Sequence, residues 1–293
     1  MNSPRPSKTK MTRRRFLGGV VGLGASAIGS YEWAKRVEPY WIETTRLDIV
    51  LRHLPREFDG FQIAQISDLH IENGTMRARF PSVCDFVSGL NADCIVVTGD
   101  LITIPTIWSQ DYFIETLPRL KAREGVFGVR GNHDAGAMGI PIAGHPCDMR
   151  ISMKEGGVRE LFNAVHTFER AGAKLHLAGV DDPWLGQADF PSVAARIPEG
   201  GAAVLLAHEP DVAMIYAPSQ KIGLMLSGHS HGGQVCLPGG FPIHVPPMSE
   251  RFPRGLYQTH GMWHYTNRGL GTVGPTLRFC SRPEISVFTL RCG

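Results

Sequence analysis

The segment Asp93-Cys94-Ile95-Val96-Val97-Thr98-Gly99-Asp100 decides the fold class. Its apolar run is short and near-continuous, as suits a strand buried on both faces, and it stops on a glycine and an aspartate. The same figure recurs on either side. Upstream, residues 61–67 read as a strand that ends at Asp68-Leu69-His70. Downstream, residues 125–129 read as a strand that ends at Gly131-Asn132-His133-Asp134. Between these strands, Phe80, Val83, Val87 and Leu90 have helical spacing and predict a helix over about residues 77–90. A second helix is expected over residues 110–120. This alternation implies a parallel, helix-covered sheet with right-handed crossovers, and so an α/β fold.

Outside that core the signals are local. Residues 46–52 alternate as a half-buried strand would. Residues 135–157 are rich in Gly, Pro and Met, lack periodicity and predict a long loop or lid. Residues 165–168 and 174–179 flank Glu169-Arg170-Ala171-Gly172 and predict a hairpin. Strands over 203–207 and 222–227 would end at His208 and at Gly228-His229-Ser230-His231. Residues 237–253 are Pro-rich and predict loop, and residues 284–290 alternate as a closing strand. No composition break or repeat divides residues 31–293, which are expected to form one domain.

Charge separates a leader from this body. Of 30 Lys and Arg, six (Arg5, Lys8, Lys10, Arg13, Arg14 and Arg15) lie in the first 15 residues, which hold no acid. The remaining 24 stand against 27 Asp and Glu, so the body is slightly acidic. A nucleic-acid partner needs a basic excess that is missing here, and none is expected. The leader, residues 1–30, reads as a signal or membrane-anchor segment. It has a charged start, an apolar Gly-rich run from Phe16 to about Gly29, and small residues at Ala25-Ser26-Ala27. The run is too short and too glycine-rich for a confident span of ~20 apolar residues. Arg13-Arg14-Arg15-Phe16-Leu17 resembles a twin-arginine signal, which export machinery reads as an address. Export to the periplasm or the outer face of the cytoplasmic membrane is therefore expected, and association with membrane or envelope is compatible with it. Six cysteines (Cys84, Cys94, Cys147, Cys236, Cys280 and Cys292) give no CxxC pair and no zinc-finger spacing. Cys84 and Cys94 read as buried thiols, and a disulfide involving Cys280 and Cys292 has no support beyond the compartment.

The strand ends carry the chemistry. Asp68, His70, Asp100, Asn132, His208, His229 and His231 all follow the last apolar residue of a predicted strand. In open α/β sheets that edge is where sites are built. The set supplies carboxylate and amide oxygens and imidazole nitrogens without a thiolate, which suits Mn, Fe or Zn rather than Ca or Mg. Seven donors exceed one closed tetrahedral site, so two divalent ions sharing a carboxylate is the economical arrangement. Two such ions about 3.5–4 Å apart can clamp the attacking and leaving oxygens of a displacement at phosphorus.

Asp68-x-His70, Gly99-Asp100, Gly131-Asn132-His133-Asp134, His208-Glu209-Pro210 and Gly228-His229-Ser230-His231-Gly232-Gly233-Gln234 together resemble, in order, the motifs of calcineurin-like metallophosphoesterases. Residues 46–291 are covered by the resemblance. It is nearest to the exported bacterial branch with a twin-arginine signal, in which segments similar to Arg268-Gly269-Leu270-Gly271 and Pro283-Glu284-Ile285 occur. The resemblance implies a four-layer α-β-β-α sandwich of two mixed sheets, with a dinuclear metal site at the carboxyl ends of the strands. It gives Asp68, His70 and His231 to one metal and Asn132, His208 and His229 to the other, with Asp100 bridging. His133 is implied as the group that faces the scissile phosphate, and a metal-bridging hydroxide as the nucleophile. A phosphodiester or a lipid-linked phosphate ester is the expected substrate, and a monomer the expected state.

Simpler roles exist for several of these residues. Asp68 or Asp100 alone would read as a turn or cap aspartate. His229 and His231, two apart, converge only if the chain bends out of the sheet, and Gly228 is the expected bend. Asp181-Asp182-Pro183-Trp184 reads as a turn or cap. His166 and His176 could face each other across their hairpin, and His145 in the long loop is a candidate substrate contact. Phe241, Pro242, Pro246, Pro247 and Met248 form an apolar loop that either packs or lines a pocket. Two competing functions remain in view. One is a UDP-diacylglucosamine-type diphosphatase, whose substrate is made in the cytoplasm. The other is a weakly active wall- or membrane-binding module, which would have no need of His133.

Overall fold

Cys94 and Val96 point one way and Ile95 and Val97 the other, and all four are fully buried in the computed structural model. The strand must therefore have apolar neighbours on both faces. Residues 13–72, 74–104, 106–136 and 149–293 are described. The chain starts with α1 (Arg13–Arg36) and β1 (Glu43–Val50). Then come β2 (Gln62–Ile66), α2 (Gly74–Gly89), β3 (Cys94–Thr98), α3 (Ile107–Thr116) and β4 (Val126–Val129). After α4 (Asn132–Ala135) and α5 (Met149–Glu155) the chain forms β5 (Val158–Glu160), β6 (Ala164–Arg170) and β7 (Ala173–Gly179). The second half holds α6 (Phe190–Ala195), β8 (Ala202–Leu206), α7 (Ala213–Tyr216) and β9 (Leu224–Ser227). It closes with β10 (Cys236–Leu237), β11 (Phe241–Pro242), β12 (Gly255–Thr259), β13 (Met262–Thr266) and β14 (Glu284–Arg291).

Two six-stranded sheets result, ordered β1-β14-β2-β3-β4-β5 and β12-β13-β9-β8-β7-β6. Both are mixed. In the first, only the β14–β2 pairing is antiparallel; in the second, β12–β13 and β6–β7 are. Val96, Phe127 and Phe288 of the first sheet pack against Leu177, Val204 and Leu226 of the second. On the outer face of the first sheet, Ile95 and Val97 meet Phe80 and Val87 of α2 and Phe113 of α3. On the outer face of the second, Ala203, Leu205 and Met225 meet Val193 of α6 and Ala213 of α7. The layers run helix, sheet, sheet, helix, as the resemblance implied.

Several local expectations change. Within 135–157 the structure has α5, which buries Met149 and Met153, so loop was the wrong reading for its last third. Residues 137–148, with His145 and Cys147, lie outside the described residues. The hairpin pairs His166 with Leu177 and Thr167 with His176, so the two histidines do not face each other; His176 Nδ1 meets Thr167 Oγ1 instead. The Pro-rich loop contains the short β10–β11 ribbon. Cys84 and Cys94 are buried free thiols, and Cys280 and Cys292 are free as well. One helix runs through the expected leader boundary to Arg36, and Arg278 N donates to Ala34 O at 2.9 Å where its end meets the body.

Phe127 links the two sheets, its ring 5.5 Å from Phe168 in a T-shaped pair. Phe127→Ala should cost about 3–5 kcal/mol, read as a lower urea midpoint with an unchanged m-value.

Candidate metal centre

Asp68 and His70 follow β2, Asp100 follows β3, and Asn132 opens α4 after β4. His208 follows β8, and His229 and His231 follow β9. Strands β2, β3 and β4 run parallel in one sheet and β8 and β9 in the other, so every one of these residues leaves a carboxyl end. Five of them turn in the left-handed region: Asp68 (φ 51°), His70 (43°), Asp100 (52°), His229 (70°) and His231 (52°). That conformation costs a non-glycine residue on the order of 1–3 kcal/mol. It swings the side chains out of the sheet's alternation, so residues two apart can aim at one point. The bend at 228–231 is thus made by the histidines themselves and by Gly232 and Gly233, not by Gly228. Gly228 is needed for closeness, since a Cβ there would overlap Ser67 Oγ and Asp68 Oδ2.

Two clusters form. Donor atoms of Asp68, His70 and His231 lie within 4.8 Å of one another, as do those of Asp100, His208 and His229. Asp100 Oδ2 reaches both, at 3.1 Å from His208 Nε2 and 3.6 Å from His70 Nε2. Hydrogen bonds set which ring nitrogen faces inward. His208 Nδ1 must donate to Thr98 O at 2.6 Å, because a carbonyl only accepts, and this turns Nε2 toward Asp100 and the cluster. His229 Nε2 donates to Pro247 O at 2.9 Å, which leaves Nδ1. His70 Nε2 and His231 Nε2 stand 3.0 Å apart.

This donor chemistry fits a pair of divalent ions. Asn132 Oδ1 and His208 Nε2 are buried without a hydrogen-bond partner, although the latter lies close to Asp100. Buried acceptors that face one another cost several kcal/mol unless a cation lies between them. Burial raises Asp68 to about 6, and it lowers His70 and His229 to about 3, so those two rings are neutral and ready to ligate at neutral pH. His208 goes the other way: burial would lower it, but Asp100 beside it holds its imidazole well above the usual range, so a cation in that cluster would have to displace its proton. Burial alone would raise Asp100, but His208 and His133 hold it well below the usual carboxylate range.

His133 stands apart from the clusters. Its backbone N donates to Asp100 Oδ1 at 3.0 Å and its Nδ1 to Thr103 O at 2.9 Å, so Nε2 is left for the cleft it lines. Asp134 folds that turn: its carboxylate accepts from the backbone N of Gly131, Leu101 and Ile102. Burial, with Asp100 beside it, raises Asp134 to about 7.

Two supports escaped the reading of the sequence. Asp181 is gripped by Arg130 through Nε at 3.0 Å and Nη2 at 2.6 Å, and Asp182 Oδ1 accepts Leu185 N at 2.6 Å. The turn assigned to them is correct, but it also sets Trp184 with its ring 5.3 Å from that of His229. Arg278 was not singled out at all, because nothing in Leu277-Arg278-Phe279 marks a charged residue as fully buried.

Fold and site define a class: a two-sheet α/β sandwich with two buried Asp/His clusters that share one carboxylate at the strand ends. A family model for calcineurin-like phosphoesterases matches residues 61–233, and the chain belongs to that family. It is 38% identical over 288 residues to the uncharacterized metallophosphoesterase YkuE of Bacillus subtilis, covering 96% of this chain and 98% of the relative. It is 27% identical to the phosphodiesterase YaeI of Escherichia coli, over 96% of this chain and 99% of that one. The UDP-2,3-diacylglucosamine pyrophosphatase LpxG of Chlamydia trachomatis is 25% identical, with 92% and 94% covered. The chain is a metal-dependent phosphoric ester hydrolase.

Chelation should lower the unfolding temperature by more than about 5 °C, restored on adding Mn or Zn, because ligand bound only to the folded state stabilises it. Asp100→Asn should lower the metal content of the purified protein more than the same change at Asp68, as measured by elemental analysis. An equal loss from both variants would show that Asp100 does not serve the two clusters jointly.

Proposed function

We propose that this chain hydrolyses a phosphodiester or a lipid-linked phosphate outside the cytoplasm. In this reading Asp68, His70 and His231 hold one divalent ion, and Asn132, His208 and His229 hold the other. Asp100 lies between them, and Mn, Fe or Zn suits the mixed oxygen and nitrogen donors. The observation that carries the reading is Asp100 itself, one buried carboxylate reached by imidazoles of both clusters at the floor of a cleft. The ions, when bound, lower the pKa of a water and neutralise charge that builds on the phosphoryl oxygens.

The chain's own groups do the rest. Asn132 and the imidazoles fix the donors, and their hydrogen bonds to Thr98 O and Pro247 O hold the rings in one tautomer. His133 Nε2 borders the cleft beside Asp100 and gives a proton to the departing oxygen or a hydrogen bond to the phosphoryl group. The names of YaeI and LpxG support a diester or diphosphate bond over a simple monoester. Export through the twin-arginine machinery, to the periplasm or the outer face of the membrane, is supported by Arg13-Arg14-Arg15-Phe16-Leu17 and by the basic excess confined to the leader. Among the described residues no helix is long and apolar enough to cross a membrane.

The test is to strip the purified protein of metal, reload it with Mn, Zn or Fe, and compare an activated phosphodiester with the matching monoester. Turnover of the diester is expected; no turnover with any of the three metals overturns the reading. His133→Ala should keep the metal content of the parent and lose about 10²–10⁴ in kcat. Loss of metal in that variant would assign His133 to the ligands instead.

A further inference from the structure

We propose that the cleft wall beside the metal centre is a slot for an alkyl or acyl chain of the substrate, with Trp184 and Ile243 as its specificity-determining side chains. The inference rests on the phosphoesterase reading and adds the substituent that the ester carries. The cleft encloses about 480 Å³ and is lined by Asp100, Asn132, His133, His229 and His231 of the candidate metal centre. Most of the remaining lining is apolar: Trp184, Val235, Ile243, Pro246 and Val273. A volume of this size suits a small-molecule substituent.

Among the described residues that wall offers polar substituents few partners. Among the described residues no Lys or Arg lines the cleft, so a second or third phosphate would meet no cation beyond the metal ligands. Gln234 lines it, but its amide is spent on Val273, with Nε2 donating to the carbonyl at 3.0 Å and Oε1 accepting from N at 2.8 Å. Ser230 Oγ accepts from Gly232 N at 3.0 Å, and the residue is almost fully buried, so its hydroxyl proton is all it can offer. Sugar hydroxyls or the edges of a nucleobase would be buried there with only His244 to meet them, which is costly. Methylene groups carry no such penalty, and each one buried can tighten binding up to about fourfold.

The wall is also held in place and continues outward. The bidentate grip of Arg130 on Asp181 and the bond from Leu185 N to Asp182 fix the turn that presents Trp184, which is 38% exposed. Elsewhere in the lining, Ile243 N donates to Val235 O at 3.3 Å, and the β10–β11 ribbon lies between these two residues in the chain. Ile243 is 64% exposed, and the ribbon adds Leu237 at 56% and Phe241 at 69%. Large apolar side chains left in water on the ribbon that leads to Ile243 suit a binding surface better than a packed loop. A chain that starts at the phosphate would run along Trp184 and Ile243.

The experiment uses metal-loaded protein and p-nitrophenyl methyl, butyl and octyl phosphates below their micellar concentrations. The wild type is expected to favour octyl over methyl by about tenfold or more in kcat/KM. Trp184→Ala and Ile243→Ser should each pull that ratio toward one, and Trp184→Phe should restore most of it. A flat chain-length series in active wild-type enzyme overturns the slot and leaves the phosphoesterase reading standing. A steep series unchanged in both variants overturns the assignment to these residues. Calorimetry of methylphosphonate against octylphosphonate runs in parallel. If no ester turns over, the phosphoesterase reading falls, and the binding arm decides the slot alone. Tighter octyl binding that Trp184→Ala removes supports it; equal binding sinks it.

Discussion

Asp100 is 1% exposed, and both of its oxygens are engaged by groups from different parts of the chain. Oδ1 accepts from His133 N, and Oδ2 faces His208 from the second sheet and His70 from the first. An ionised carboxylate in such a place is tolerable only if the surrounding charge is arranged for it. That requirement ties the two sheets together at one edge. Asp68, His70, Asp100 and Asn132 come from the first sheet, and His208, His229 and His231 come from the second. The sandwich must therefore close in one register for the clusters to exist. Apolar packing between Val96, Phe127, Leu177 and Val204 supplies most of the driving force for that closure, but it has little directional preference. The polar edge supplies the direction.

Arg278 braces the edge mainly through backbone carbonyls, with the carboxylates of Asp68, Glu38 and Glu284 near enough to favour its charge. Its guanidinium is fully buried, and it donates to the carbonyls of Arg268, Gly269, Gly271, Ser281 and, at 3.4 Å, His231. Burial lowers it to about 10, so it stays charged at neutral pH. A planar fork can tie several backbone strands where an ammonium could not. The first three of those carbonyls belong to the loop whose Leu270 N and Gly271 N donate to Ser67 O and Asp68 O. The left-handed turns at Asp68 and His231 are thus braced from behind, by the loop and by Ser281 Oγ on His231 O. A positive charge there also disfavours protonation of His231, which suits a ligand.

The strand ends were legible in the sequence because both signals are local. An apolar run of five residues and the polar residue after it need no knowledge of the partner strand. Hence Asp68, Asp100, Asn132, His208, His229 and His231 fall where expected, while the second sheet needed the family resemblance. The ribbon of β12 and β13 was missed for a different reason. Its turn is His260-Gly261, with φ of 47° and 80°, and histidine lacks the Asn-Gly signature that would advertise two left-handed residues. Helix α5 was hidden by the Gly- and Pro-rich stretch that precedes it. Trp184 and Arg278 were illegible because their roles depend on what the rest of the chain brings beside them. A lone tryptophan after a proline, or a lone arginine in a loop, reads as surface until its neighbours are known.

The same geometry links metal binding to folding. Five left-handed residues and a set of buried acceptors that face each other are costs charged to the folded state, and none of them exists in the unfolded chain. Cations between Asp68, His70 and His231, and between Asp100, His208 and His229, would relieve the acceptor repulsion directly. They would also lock residues from both sheets at one point. Ions held there would be part of the join between the layers as well as of the chemistry, and their binding free energy would become folding free energy. The composition of that edge is consistent with such a join. Near the strand ends the residues are small or polar (Ser67, Thr98, Gly99 and Gly228), whereas the large apolar side chains lie farther down the strands. An edge built this way holds its shape through coordination and hydrogen bonds, and so can leave the cleft above it open to a substrate.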